Sequence, residues 1–270
     1  MKTFLSCLLV ATVAAVGPVR ADEPAIIGKA RQYLGSEAAL TAVKSIHLTG
    51  RVLGDNVDDP KNPFRATVDI IFAKPFQESL YIRYPTQIVH TGLDGFEAWQ
   101  HVQDKPAEGQ LQINPHRASQ LVILSQQHVR NLRADTWYNL YFYRGIEMTG
   151  GALEDAGPAT IDGVACEKVI FTHSPQVIYT RYFDLATGRL VYTETRSGAR
   201  IRESGEVVVG GIRFPRTVVT SETSRTGKVV SSTYSFDQVR LNEVFPSSTF
   251  EVPVLSNSDD TEPVFAPPSH

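Results

Sequence analysis

Cysteine is almost missing from this chain: of 270 residues only Cys7 and Cys166 carry a thiol. Cys7 sits inside a short apolar run near the start, so a processed chain keeps Cys166 alone and no intramolecular disulfide can form. Long hydrophobic runs are missing too. The stretch 4–16 falls well short of the roughly 20 apolar residues that a spanning helix needs. Basic clusters are absent along the sequence, with 26 Lys and Arg against 29 Asp and Glu. That balance argues against nucleic acid or an anionic membrane as the main partner. The signatures of chemistry are also lacking. There is no Gly-x-Ser-x-Gly elbow, no His-Glu-x-x-His, no Cys-x-x-Cys, no phosphate loop, no dinucleotide fingerprint and no haem attachment motif. The sequence therefore implies no cofactor.

What is present begins with a targeting segment over 1–21. Lys2 supplies a positive start, an apolar run follows, and Val19-Arg20-Ala21 ends it with small residues. Its removal leaves 24 basic against 29 acidic side chains, and an exported, periplasmic or secreted chain is expected. One domain is expected over 22–253, and 254–270 reads as an acidic, proline-containing tail. Helical spacing over 22–34, with Ile26, Ile27, Ala30, Tyr33 and Leu34 on one side, gives way to a second short helix over 36–44 capped by Ser36. The period then drops to two at Ile46, Leu48, Gly50 and Val52, and strands follow over 65–73 and 78–84.

"TQIVHTGLDGFEAWQHVQ", 86–103, reads as a hairpin with Asp94-Gly95 at the centre of a type I′ turn. In that register His90 faces Trp99 and Ile88 faces His101. Asn114-Pro115 signals a helix carrying Leu121, Leu124, Ser125, His128 and Leu132, and Asp135 a second one ending at Gly145. From 161 onward, dipeptides such as Asp162-Gly163, Thr187-Gly188 and Gly210-Gly211 punctuate an antiparallel meander, in which Pro215 marks an edge or bulge. The fold class expected is mainly β (α+β): an unclosed, curved antiparallel half-barrel with helices over its concave face.

Few residues invite a chemical reading. Cys166 with His173 suggests a thiol nucleophile, but seven residues apart on one strand they point to opposite faces, and a small buried Cys166 is the simpler reading. Asp55, Asp58 and Asp59 offer oxygen ligands without the spacing of a calcium loop. His90 and His101 fall on one face of the hairpin and are the only metal candidates; no third ligand can be named. A cross-strand His–Trp pair without metal accounts for them more simply. The aromatic run Trp137, Tyr138, Tyr141, Phe142 and Tyr143 is the strongest hint of binding, since such a helix beside a curved sheet can line or cap an apolar cavity.

The order of elements resembles the outer-membrane lipoprotein carrier (LolA/LolB-like) superfamily, and more closely its exported members of unassigned function. The resemblance is carried by "IIGKARQYLGSEAALTAVKSIHLTGRV", "GLDGFEAW", "IDGVACEKVIF", "YFDLATGRLVYTETR", "VVVGGIRFPRTV" and the closing "FEVP". It implies non-catalytic binding of a lipid, acyl chain, lipidated protein or other hydrophobic ligand in the cell envelope. The cavity-lining residues expected are Leu121, Leu124, Trp137, Leu140, Tyr141 and Trp99. The alternatives are an envelope interaction module with a packed interior and a protein partner, and a metal-dependent enzyme built on the hairpin histidines.

Overall fold

The computed structural model describes residues 23–56, 59, 61–105, 119–224 and 226–254. The targeting segment, the Asn114-Pro115 helix start, Asp58 and the tail from 255 onward lie outside the described residues.

Two helices open the described chain, α1 (Ala25–Leu34) and α2 (Glu37–Ala42). Ser36 caps α2 by accepting a hydrogen bond from the Ala39 amide, as its position predicts. Strands β1 (Ser45–Gly54), β2 (Phe64–Ala73), β3 (Gln77–Arg83), β4 (Gln87–Asp94), β5 (Glu97–Asp104) and β6 (Ser119–Ile123) follow as a meander. One long helix, α3 (Gln126–Tyr141), then leads to β7 (Ala152–Ile161), β8 (Val164–Ser174), β9 (Val177–Asp184), β10 (Leu190–Thr195), β11 (Arg200–Ser204), β12 (Val207–Val209), β13 (Ile212–Phe214), β14 (Thr217–Thr223) and β15 (Val229–Leu241).

Thirteen strands form one open antiparallel sheet in the order β6-β5-β4-β3-β2-β1-β15-β14-β11-β10-β9-β8-β7, and β12 and β13 pair separately. The sheet is the expected open half-barrel: its ends, β6 and β7, do not meet. Antiparallel pairing throughout follows from the short connections, and β15 closes the fold by pairing with β1 and so joining the two halves of the chain.

The helices pack on one face of the sheet, here the inner face. Ile46, Leu48 and Phe72 of β1 and β2 cluster there with Leu140 of α3, Leu40 of α2 and Phe214. A second cluster joins Ile26, Ile27 and Ala30 of α1 to Trp137 and to Val169, Phe171 and Phe183 of β8 and β9. Arg31, only 4% exposed, ties the three helices together. Its guanidinium forks onto both carboxylate oxygens of Glu37, at 2.7 and 2.6 Å, and donates to the carbonyls of Tyr141 and Phe142 at the end of α3. A cation there satisfies carbonyls that the helix leaves without partners.

Four sequence expectations are corrected. Among the described residues the helical region holds one α-helix, starting after Ser125, and Leu121 lies in the edge strand β6. Helix α3 ends at Tyr141, before Gly145, because Phe142 and Tyr143 themselves take positive φ, 49° and 72°. Strands resume at Ala152 rather than near 161; Gly157 and Pro158 disguise β7 by introducing a bulge between Asp155 and Pro158. Pro215 does more than mark an edge: it ends β13 and separates it from β14.

The hairpin turn also differs. Asp94 pairs with Glu97, so Gly95 and Phe96 are its central residues. Only Gly95 has positive φ, 62°, the pattern of a type II′ turn with glycine first. The turn therefore moves on by one residue and each cross-strand partner by two, which keeps the faces. His90 lies directly opposite His101, and Gly92 opposite Trp99. A side chain at 92 would put its Cβ 2.3 Å from the Trp99 indole. Gly92 is the gap across which that ring lies.

Candidate ligand-binding site

Alternation from this register separates the hairpin into two faces. Leu93 and Ala98 face inward and pack with Val129 of α3. His90, Gly92, Trp99 and His101 therefore face outward, away from the helices. Trp99, 1% exposed, is buried there by the segment that follows β15, and its indole N–H donates to the Phe250 carbonyl at 2.9 Å. It belongs to a packed outer seam, which corrects its assignment to a cavity wall.

His90 is held in the same seam. Its ring stacks on Tyr81 at 3.6 Å and meets the Trp99 edge at 4.4 Å, and its Nε2 lies 3.0 Å from the Ser79 hydroxyl. Burial pulls its pKa down to about 3, with His101 and Arg83 pushing the same way. A neutral imidazole pinned between two aromatic rings is the result. Among the described residues, no group of three or more His, Cys, Asp or Glu side chains could hold a metal ion.

The remaining sequence candidates are also packed. Leu121 pairs with His101 and shares its outer face. Leu124 packs beneath the start of α3, Trp137 and Leu140 fill the two inner clusters at 1% and 0% exposure, and Tyr141 stacks on Phe76 at 5.9 Å. Cys166 is fully buried, and burial raises its thiol.

The cavity lies further along the inner face. A space of about 240 Å³ is bounded by Leu48, Ile70, Phe72, Ile201, Val218 and Phe236 from β1, β2, β11, β14 and β15, and closed by Tyr138, Phe142 and Tyr143 from the end of α3. Here the aromatic run does form a wall, through the three residues that surround the helix end. Two consecutive bulky residues in the left-handed region are unfavourable locally. At this helix end they aim the Phe142 and Tyr143 side chains into the space between helix and sheet.

Beside it, Tyr138 donates a 2.5 Å hydrogen bond to Glu203. Burial raises the Glu203 carboxyl, and this hydroxyl and the charge of Arg181 only partly offset it. A separate concavity, about 620 Å³, lies on the outer face, where Arg51, Arg65, Arg83 and Lys105 stand among Val52, Leu53, Tyr84 and Pro85. No linear motif announces it, because strand register assembles it. Its four cations set it apart from the apolar cavity.

A separate polar cluster anchors the middle of α3. Thr136 donates to Glu78, and Tyr179 donates to Asp135 at 3.0 Å. Burial raises both carboxyls, Asp135 to about 6, and the Asp135 charge raises Glu78 further. Two neighbouring carboxyl groups can serve as an acid–base pair. Glu78 is 5% exposed, however, and neither group lines the apolar cavity or the outer concavity. Their geometry is that of a helix anchor.

No protein-family model and no curated protein sequence matches the chain. Solved structures do. A LolA superfamily protein from Nitrosomonas europaea aligns over 84% of this chain and 96% of its own, with 13% identity and a TM-score of 0.53. A DUF1329 family protein from Desulfovibrio piger covers 84% and 96% at 12% identity and 0.51. A domain assigned to outer membrane lipoprotein sorting, from Vibrio parahaemolyticus, covers 83% and 95% at 9% identity and 0.52. At such identities the likeness is one of fold.

Proposed function

From a LolA-like half-barrel with a hollow beside its helical cover, we propose that the protein is a non-catalytic binder of a hydrophobic ligand, a lipid or other acyl chain, in the cell envelope. The observation that carries this reading is the apolar cavity between α3 and strands β1, β2, β11, β14 and β15. Apolar walls with a few polar groups at one side are the usual make-up of a small-molecule site. Burying apolar ligand surface there favours binding by about 25 cal/mol per Å² before the costs of association. No helix among the described residues is long and apolar enough to cross a membrane, and we place the protein in the exported fraction on its N-terminal segment. The whole of 22–253 serves as one binding domain.

Delipidated protein is expected to take up a fluorescent fatty-acid probe saturably, with competition by unlabelled fatty acid. Uptake that rises linearly with probe, or none at all, removes the reading.

An envelope interaction module is favoured by one observation. Strand β7 guards its edge with a bulge, Pro158 and the charges of Glu154 and Asp155. Edge strand β6 has neither charge nor proline and exposes Val122 and Ile123, so among the described residues it is the edge suited to strand addition. A module acting through β6 alone does not require probe uptake, so the same titration separates the two.

A further inference from the structure

The apolar cavity adjoins a second space of about 360 Å³, and Leu34, Tyr143, Glu203, Arg213, Phe214 and Pro215 are walls of both. This second space differs in character. Tyr33, Arg189, Ser204 and Glu206 complete its polar lining. An apolar compartment sharing walls with a charged one is the shape an amphiphile requires.

The charges are unequally committed. Glu206 accepts the Tyr33 hydroxyl at 2.7 Å and lies 3.7 Å from the Arg213 guanidinium, which also donates to the Tyr33 carbonyl at 2.9 Å. Glu203 accepts the Tyr138 hydroxyl. Both acids of the compartment are thus engaged. Arg189 is exposed, feels the Asp184 charge, and enters no salt bridge among the described residues.

Behind the shared wall lies another cation. Arg181 is 3% exposed, and its guanidinium sits 4.4 Å from the Tyr138 ring centre. Its Nε and Nη1 atoms have no hydrogen-bond partner among the described residues. Its charge acts on the buried carboxyls of Asp135 and Glu203, holding both lower than burial alone would. Arg189 and Arg213 line the compartment with Glu203 and Glu206, and Arg213 already lies beside Glu206, which leaves Arg189 as the lining guanidinium outside any salt bridge among the described residues.

We propose that this polar compartment is a head-group site, and that the ligand is a single-chain amphiphile with an anionic head. The inference rests on the apolar cavity being the chain site. Its chain occupies the space beneath Phe142 and Phe236, and its head meets Arg189 and Arg213. Selectivity follows from Arg189: an anionic head pairs with it, an ammonium head beside it is repelled, and an alcohol head gains nothing from its charge.

Three chain-matched probes test this with the full chain at neutral pH: decanoic acid, decanol and decylamine, each measured by displacement of a fluorescent fatty acid or by calorimetry. The acid is expected to bind roughly two- to fivefold more tightly than the alcohol, the upper part of the range for an exposed charge pair. The amine is expected to bind more weakly than the alcohol. Raising the salt concentration should shrink the acid's advantage, and Arg189→Gln should bring the acid-to-alcohol ratio toward one. Equal, saturable binding of acid and alcohol overturns the head-group site while leaving the apolar cavity standing. Tighter binding of the amine overturns it as well. If none of the three binds, the cavity reading fails and the head-group site falls with it.

Discussion

Thr220→Trp is expected to lower the affinity for a fatty-acid probe at least tenfold. Thr220 lies on the inner face of β14, pairs with Ile201 and Ser232, and lines the apolar cavity. An indole placed there occupies space a chain would fill. Excluding two methylenes costs roughly 1.6 kcal/mol of transfer free energy, and about 1.4 kcal/mol is already a factor of ten. The change should leave the fold intact, because the new side chain enters a hollow and not a filled core. Overpacking a filled core typically costs ~1–3 kcal/mol, and the lower end applies here. Val219→Trp is the matched control. It sits one residue away on the same strand, and alternation turns it to the opposite face. Equal affinities for the two variants would mean that the probe binds elsewhere.

Trp137→Ala should cost about 3–5 kcal/mol of stability, the usual range for removing a large buried aromatic. Trp137 is 1% exposed and packs in the cluster of α1, α3, β8 and β9. Its ring lies 6.0 Å from Phe171 and 5.0 Å from His173. For a chain of this size the melting temperature should fall by roughly 6–20 °C. Val244→Ala, at a residue 96% exposed, should change stability by no more than ~0.5 kcal/mol. At temperatures where it stays folded, the Trp137→Ala protein should keep its probe affinity, since Trp137 lines neither adjoining cavity. A large loss of affinity without a loss of stability would return Trp137 to the binding site.

These two substitutions mark what the sequence could and could not convey. Period-two alternation exposed most strands, because a half-buried strand must alternate whatever its neighbours are. Ser36 as a cap, Asp162-Gly163 as a turn with two positive φ angles, and the burial of Cys166 were equally legible. The hairpin register was not. Asp94-Gly95 and Gly95-Phe96 both satisfy local turn chemistry, and the choice is made by the Trp99 ring needing Gly92 opposite it.

The cavity was harder still. Its walls come from Leu48, Ile70, Ile201, Val218 and Phe236, which are brought together only when β15 pairs with β1. The aromatic run did point to the right part of the chain. Which of its rings reach the hollow depends on the left-handed turn at Phe142 and Tyr143, and periodicity places the helix end elsewhere. A helical wheel singles out Trp137, Leu140 and Tyr141 because they share the inward side of the helix, and facing inward does not separate a packed side chain from a cavity wall. The guanidiniums of Arg181, Arg189 and Arg213 gave no linear signal, since three different strands and loops carry them.

The central claim is that the hollow beside α3 holds an apolar chain, and the most direct measurement is where a bound chain goes. A fatty acid carrying a diazirine near its methyl end is equilibrated with delipidated protein, activated by light, and mapped by peptide mass spectrometry. Labelling is expected on peptides that contain Ile70, Val218, Phe236 or the 138–143 turn, to saturate with probe, and to disappear under excess unlabelled fatty acid. Labelling confined to the outer face around Trp99 and Phe250, to the edge strand β6, or spread without saturation would contradict the account.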